Sequence, residues 1–374
     1  MKTLPGYFKY FIILASLVLT VYVFIVARPI LSPIVTALIA ALLLRPLSSA
    51  IERLHVHRIA SSLLSIILVI GVIFGISYFF SSQVNSIAEN LTSIGQRFNE
   101  IIDRIYAWME RTFGIEQQQQ TQYIKDSLNS FFSSSVTAVS KTVSATAGFF
   151  TGFFMFLIAL FFILYYRRFL VTFLYKVFPD DSHEKLGATI FKIEEVVRAY
   201  ILGLLTVILI VAVLNSIGLM ILGIQYAIFF GALAAVLTII PYIGIFIGSL
   251  LPILFALVTK DSLWYPVGVA LLFWFVQLIE GNFITPNIVG GKVSVNPFAA
   301  LLALFVGGMI WGAMGMILSI PVLAIIKVIC DAVEPLNPIG YLLDTPPEED
   351  TFQSKPIRIG RFVRKLLKEK NKAL

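Results

Sequence analysis

Runs of about twenty apolar residues, the length that carries a helix across the hydrocarbon core of a bilayer, recur along this chain. Nothing else in the sequence constrains its fold as strongly. Residues 8–26, 59–80, 147–166, 199–223 and 263–280 each match one crossing. Residues 30–44 form a shorter run after Arg28-Pro29 and read as the return partner of the first span. Residues 226–258 and 298–329 are longer and interrupted by Pro or Gly, so each is one kinked helix or two shorter pieces. Hydrocarbon offers the backbone no hydrogen-bond partner, so such runs must be helical. The predicted fold is all-α: a polytopic membrane protein of about eight spans, with broken or re-entrant segments and a helical hairpin outside the bilayer.

Composition excludes the alternatives. The chain is 58% hydrophobic and 13% charged, against about 25% charged in a soluble domain. A soluble enzyme could not bury that surface, and a disordered chain would not carry it. The net charge of +7 is better explained by membrane topology than by nucleic acid, which is not expected as a partner. One cysteine, Cys330, leaves no intrachain disulfide framework, and three histidines leave little for a metal site. The N-terminus resembles a signal peptide, but the run ends at Val26-Ala27-Arg28-Pro29 without a small-residue cleavage site, so a retained first helix is expected. With the N-terminus inside, 21 of the lysines and arginines fall on the cytoplasmic side and 7 on the other. The bias predicts both termini in the cytoplasm.

Four regions follow: N-terminal membrane helices over 1–80, an extracytoplasmic amphipathic hairpin over 81–146, a membrane core over 147–330, and a basic cytoplasmic tail over 331–374. The hairpin rests on Val84, Ile87, Leu91, Ile94, Phe98, Ile101, Ile105 and Trp108, a three-four alternation that resumes from Ile124 to Val143 after the Gln117–Gln120 run. Within the core, Leu186, Ile190, Ile193 and Val197 share one face of 183–198, which suits an interfacial helix feeding the next span. In the tail, basic residues from Arg358 to Lys368 alternate with Ile359, Phe362, Val363, Leu366 and Leu367, which suits an anionic leaflet or a solvated end.

Function should sit in 199–330. Pro241-Tyr242-Ile243-Gly244, then Gly248 and Pro252, break an apolar stretch. Later, Gln277-x-x-Glu280-Gly281-Asn282, Thr285-Pro286-Asn287, Gly290-Gly291-Lys292 and Asn296-Pro297 make 281–297 too polar for a lipid-facing helix, so a re-entrant or unwound segment is expected. Discontinuous helices in two parts of a membrane protein are the pointer to a transporter's central site, because half-helix ends and loose backbone supply partial charges. The candidate binding or coupling residues are Gln277, Glu280, Asn282, Thr285 and Asn287. The candidate hinges are Pro241, Gly244, Pro252, Gly281, Pro286, Gly290 and Pro297. Glu280 stands out because an ionisable residue within a span is costly and by default functional; touching headgroups or pairing with Lys292 are its other readings. Asn215 and Thr206 read as polar glue between helices. No Walker A motif, His-Glu-x-x-His or Gly-x-Ser-x-Gly is present, so neither an enzyme nor a cofactor is expected.

The order of Phe178-Pro179-Asp180, Tyr200-x-x-Gly203, Gly223-x-x-Tyr226-Ala227, Pro241-Tyr242-Ile243-Gly244, Gln277-x-x-Glu280-Gly281-Asn282, Pro286, Pro297, Gly307-Gly308, Trp311-Gly312-x-x-Gly315-Met316 and Pro321 resembles the autoinducer-2 exporter family over about half the chain. Two positions depart from its pattern: Ile245 stands where the family often has proline, and Leu202 where it often has a basic residue. The resemblance implies a secondary transporter of the bacterial inner membrane that exports the quorum signal autoinducer-2. Some members are assigned Na⁺(Li⁺)/H⁺ antiport, so protons or Na⁺ are implied partners beside a small polar solute and the lipid bilayer. It also implies a homo-oligomer, with a pentamer among its forms. A non-transporting membrane scaffold built on the hairpin and basic tail is the remaining alternative.

Overall fold

In a computed structural model the apolar runs become helices, described for residues 6–89, 111, 146–240, 243–290 and 295–345. In chain order they are α1 (Gly6–Val26), α2 (Arg28–Arg53), α3 (Arg58–Glu89), α4 (Thr146–Tyr165), α5 (Arg167–Val177), α6 (His183–Ile221), α7 (Ala227–Leu237), α8 (Ile243–Thr259), α9 (Trp264–Ile279), α10 (Pro297–Trp311), α11 (Ala313–Ala332) and α12 (Asn337–Leu343). Among the described residues there is no strand. Beyond Glu89 the hairpin expected over 81–146 lies outside the described residues, apart from Arg111 and the start of α4, and so does the tail after Thr345. Five described helices are long and apolar enough to cross a membrane, or six if α4 and α5, bent by 68° at Tyr166, count as one span. Among the described residues the count therefore does not reach the expected eight. The two missing spans are the first run, counted as the shorter apolar helix Phe11–Val26, and 226–258, where α7 and α8 have 11 and 17 residues, which at about 1.5 Å per residue stop short of a ~30 Å core.

Helices α2, α3 and α4 form one group. Ala37, Ala41 and Leu44 of α2 bury against Ile66 of α3 and Leu160 and Leu164 of α4. Toward one end the interface becomes a patch of small polar residues, Ser48, Ser61, Ser62 and Ser65, all fully buried. Small residues let helices approach where lipid supplies no hydrophobic drive, and the hydroxyls are satisfied locally. Ser61 donates to the Ser48 carbonyl at 2.6 Å, and Ser65 to the Ser61 carbonyl at 2.9 Å.

Helix α6 is the axis of the rest. It has 39 residues, about 58 Å, roughly twice the hydrocarbon thickness. Glu184, Lys185, Lys192, Glu194, Glu195 and Arg198 all lie in its first part, and none of its later residues is charged. Residues 183–198 are therefore the polar start of the same helix that crosses as 199–221. Val197 of α6 packs with Ile39 of α2, Trp311 of α10 and Leu318 of α11, joining the two halves.

Both interrupted runs fold back as hairpins. A Cβ built on Gly248 of α8 would lie 2.9 Å from the Ala234 Cα of α7, and one on Gly244 would overlap the Leu237 carbonyl. These pairings run antiparallel, so 226–258 is two short helices. Likewise Ser319 of α11 donates to the Ala303 carbonyl of α10 at 2.8 Å, and a Cβ on Gly307 would meet the Gly315 carbonyl. The α10–α11 turn is Gly312, at φ 64° and ψ −143°, a conformation open to glycine and little else. Beside it the Trp311 indole donates to the Phe24 carbonyl of α1 at 2.9 Å. At the other end, Asn296 caps α10 by accepting from the Ala299 amide, and its amide group donates to the Leu342 carbonyl of α12 at 2.7 Å.

Candidate functional site

The segment after α9 corrects the sequence expectation. Residues 281–290 are not unwound but continue α9 as two π-helical turns, Glu280–Ile284 and Pro286–Gly290, and Trp264–Gly290 forms a single span. The wider turn suits Pro286, which has no amide hydrogen and whose ring would crowd the carbonyl four residues back in an α-helix. The asparagines that suggested a loop instead serve the helix. Asn282 donates to the Leu278 carbonyl at 2.9 Å, and Asn287 to the Phe283 carbonyl at 2.7 Å. Helix interruptions of this kind are frequent at functional sites.

Within this span three of the five candidate residues come together. Gln277 donates to Glu280 Oε2 at 2.5 Å, and the Thr285 hydroxyl donates to Glu280 Oε1. The ordinary α-helical face joins Gln277 to Glu280, three residues apart, whereas Thr285 reaches back five residues, the spacing a π-turn brings into line. All three side chains are half-buried. Asn282 and Asn287 do not join them; they are exposed and bonded to their own helix. Among the described residues no cation pairs with Glu280. Lys292, the partner considered from sequence, lies outside the described residues.

Register fixes the depth of the carboxylate. A Cβ on Gly203 of α6 would lie 3.2 Å from the Ile288 carbonyl, while Gly218 meets Leu272 and Gly268 meets Leu222. The two helices thus run antiparallel along their whole contact, and Glu280, midway between Leu272 and Ile288, is level with Ile210 and Val211. Arg198 is the last charge on α6. Glu280 consequently sits about 18 Å beyond it along the axis, near the middle of a ~30 Å core.

The α7–α8 hairpin reaches the same level. Gly231 of α7 packs on the Ser216 backbone, and Ala235 buries with Val207, Val211 and Val276, against which Ile284, Ile288 and Val289 pack. The end of α7 at Leu237 therefore falls at the level of Glu280 along α6. Pro241 lies outside the described residues; Gly244, which has to be glycine against the Leu237 carbonyl, marks the return. The other hinge candidates divide. Pro252 is buried within α8, and Pro297 is the first residue of α10. A Cβ on Gly281 would meet nothing within 4 Å, and one on Gly290 only Pro286.

Sequence reasoning missed a second polar cluster. Arg167 of α5 pairs with Glu52 of α2 at 2.5 Å, both largely buried at 15% and 17% exposure, and reaches the Ser48 hydroxyl at 3.3 Å. Arg45 of α2 pairs with Glu194 of α6. The partners are more than a hundred residues apart in sequence, so no local pattern joins them. No group of three or more His, Cys, Asp or Glu gathers among the described residues.

A family model described as AI-2E family transporter matches residues 14–334. The chain is 27% identical over 310 residues to a Bacillus subtilis protein named "Putative transport protein YueF", covering 79% of this chain and 82% of that one. It is 25% identical over 365 residues to "Putative transport protein MT0215" of Mycobacterium tuberculosis, covering 94% and 95%. A second Bacillus subtilis protein, "Putative transport protein YrrI", is 33% identical over 150 residues, 40% of this chain and 42% of that one.

Proposed function

The chain belongs to the AI-2E transporter family, and on that premise we propose that it is a secondary exporter of a small polar solute of the autoinducer-2 type in the bacterial inner membrane. One observation carries the reading: the α7–α8 hairpin and the π-turns after α9 both pack on α6 and reach the same level along it, that of a half-buried carboxylate. An acid at that depth persists at a cost of several kcal/mol, and only a role in transport or an undescribed partner balances it.

The mechanism follows from the hydrogen bonds. Gln277 and Thr285 each donate to one Glu280 oxygen. Each oxygen retains a second acceptor direction, open to a solute hydroxyl or a proton. Protonation of Glu280 weakens its hold on donors and releases the solute; loss of the proton restores it. Hinging at Gly244 and sliding of the π-turns past Gly203 open the site alternately to each side. On this reading both termini lie in the cytoplasm, in keeping with the lysine and arginine bias, the 147–330 region forms the transport core, and the protein works as a homo-oligomer.

Na⁺(Li⁺)/H⁺ antiport is the second reading, favoured by Glu280 having no paired cation among the described residues. Flux in proteoliposomes of known orientation separates the two. Under an imposed pH gradient, the exporter reading expects autoinducer-2 to move in the direction that is outward in the cell. Na⁺- or Li⁺-linked proton movement without signal flux would replace it with antiport.

A further inference from the structure

Asn215 is 2% exposed, six residues before the end of α6, and its Oδ1 has no hydrogen-bond partner. A buried, unmade carbonyl is costly in water-free surroundings, and interhelical glue, the role its sequence context suggests, would require a partner. The residue shares a stripe with Val207, Val211 and Leu219, spaced four apart. Val207 and Val211 line the contact with α9 and the π-turns, and Leu219 buries with Val269 of α9. By the register of the Gly203–Ile288 and Gly218–Leu272 contacts, Asn215 lies four to five residues past the level of Glu280, about 6–7 Å along the axis. It lies on the side away from the charged start of α6.

Resting on the transport reading above, we infer that Asn215 is a second solute-binding position on the same path, accepting a hydrogen bond from a hydroxyl of the solute as it passes between Glu280 and the far side of the membrane. Both groups present acceptors: the Glu280 oxygens with their spare directions, and the free Asn215 carbonyl. The path therefore selects donors, which fits a hydroxyl-bearing solute. In the described arrangement Asn215 is buried, so the position opens to the solute only when the helices packed on α6 move apart.

Two variants test this. Asn215→Leu keeps the branching of the side chain and removes the orphan oxygen. The inference expects its thermal midpoint to stay level or rise while flux of autoinducer-2 per folded molecule falls at least about tenfold, the equivalent of 1.4 kcal/mol. A lowered midpoint with unchanged flux per folded molecule would make Asn215 structural and overturn the inference. The second variant is Asn215→Cys on a Cys330→Ala background, which removes the one native thiol. In proteoliposomes, reaction with a small charged methanethiosulfonate, slowed by autoinducer-2, is the expected result. An inert cysteine from both faces would mean a dry site and end the inference. If the intact protein moves none of the solutes offered, the transport reading fails on its own, and labelling at residue 215 still decides whether the position opens to water.

Discussion

Two carboxylates set the two halves of this protein apart. Glu52, at the end of α2, is answered by a full positive charge: Arg167 pairs with it at 2.5 Å beside the serine patch. Glu280, at mid-membrane, is answered among the described residues by neutral donors alone, Gln277 and Thr285. The first arrangement neutralises charge and fixes α5 against α2. The second keeps a carboxylate solvated by the protein without cancelling it, which leaves its charge available to something that comes and goes. The surroundings differ in the same sense, since α2–α4 pack as long helices around an apolar core, whereas α6–α9 include a short hairpin and π-turns.

The largest effect should come from breaking the closed pair. Arg167→Ala leaves Glu52 buried and uncompensated, an expected loss of about 3–5 kcal/mol, visible as a large drop in the thermal midpoint of detergent-solubilised protein. Replacing both partners, Arg167→Leu with Glu52→Leu, should recover most of that loss. If the double variant is as unstable as the single one, Glu52 is not held as described.

Next is the contact that seats the π-turns. A Cβ at residue 203 would already sit tightly, 3.2 Å from the Ile288 carbonyl, so the branched side chain of Gly203→Val should cost about 1–3 kcal/mol by overpacking and cut flux more than stability accounts for. Flux that tracks the folded fraction alone would detach the π-turns from transport.

Thr285→Val should be smaller in stability, about 1 kcal/mol for one hydrogen bond, yet should shift the pH profile of flux. Removing this donor leaves Glu280 held by Gln277 alone, so a pH profile identical to that of the intact protein would detach Thr285 from the site. Asn287→Ala should do least, within about 0.5 kcal/mol and without change in flux, because its exposed amide serves only the Phe283 carbonyl. A loss of flux there would enlarge the site beyond Gln277, Glu280 and Thr285.

What was legible in the sequence follows hydropathy and local spacing. The spans at 59–80, 199–223 and 263–280 are apolar runs, and the structure contains helices over each. The choice between kink and hairpin at 226–258 was not legible, because both satisfy the same hydropathy; the close approach of Gly244 and Gly248 to Leu237 and Ala234 decides it. Polarity misled at 281–290. Asn282 and Asn287 looked like loop residues, but their amides bond carbonyls of the same helix, so the segment stays helical. Gln277 and Glu280 were legible as one helical face, and Thr285 joins them only through the π-turn. Arg167 with Glu52, and the orphan carbonyl of Asn215, are products of tertiary packing that no spacing encodes.

The most direct test of the account is Glu280→Gln, which keeps the shape of the side chain and removes its charge. Flux of autoinducer-2 should be measured per folded molecule in oriented proteoliposomes across a range of pH, beside the intact protein. The account predicts a thermal midpoint within a few degrees of the intact protein, flux reduced at least about tenfold, an effect of ~1.4 kcal/mol, and the residual flux no longer responsive to pH. Undiminished flux with an unchanged pH profile would contradict it.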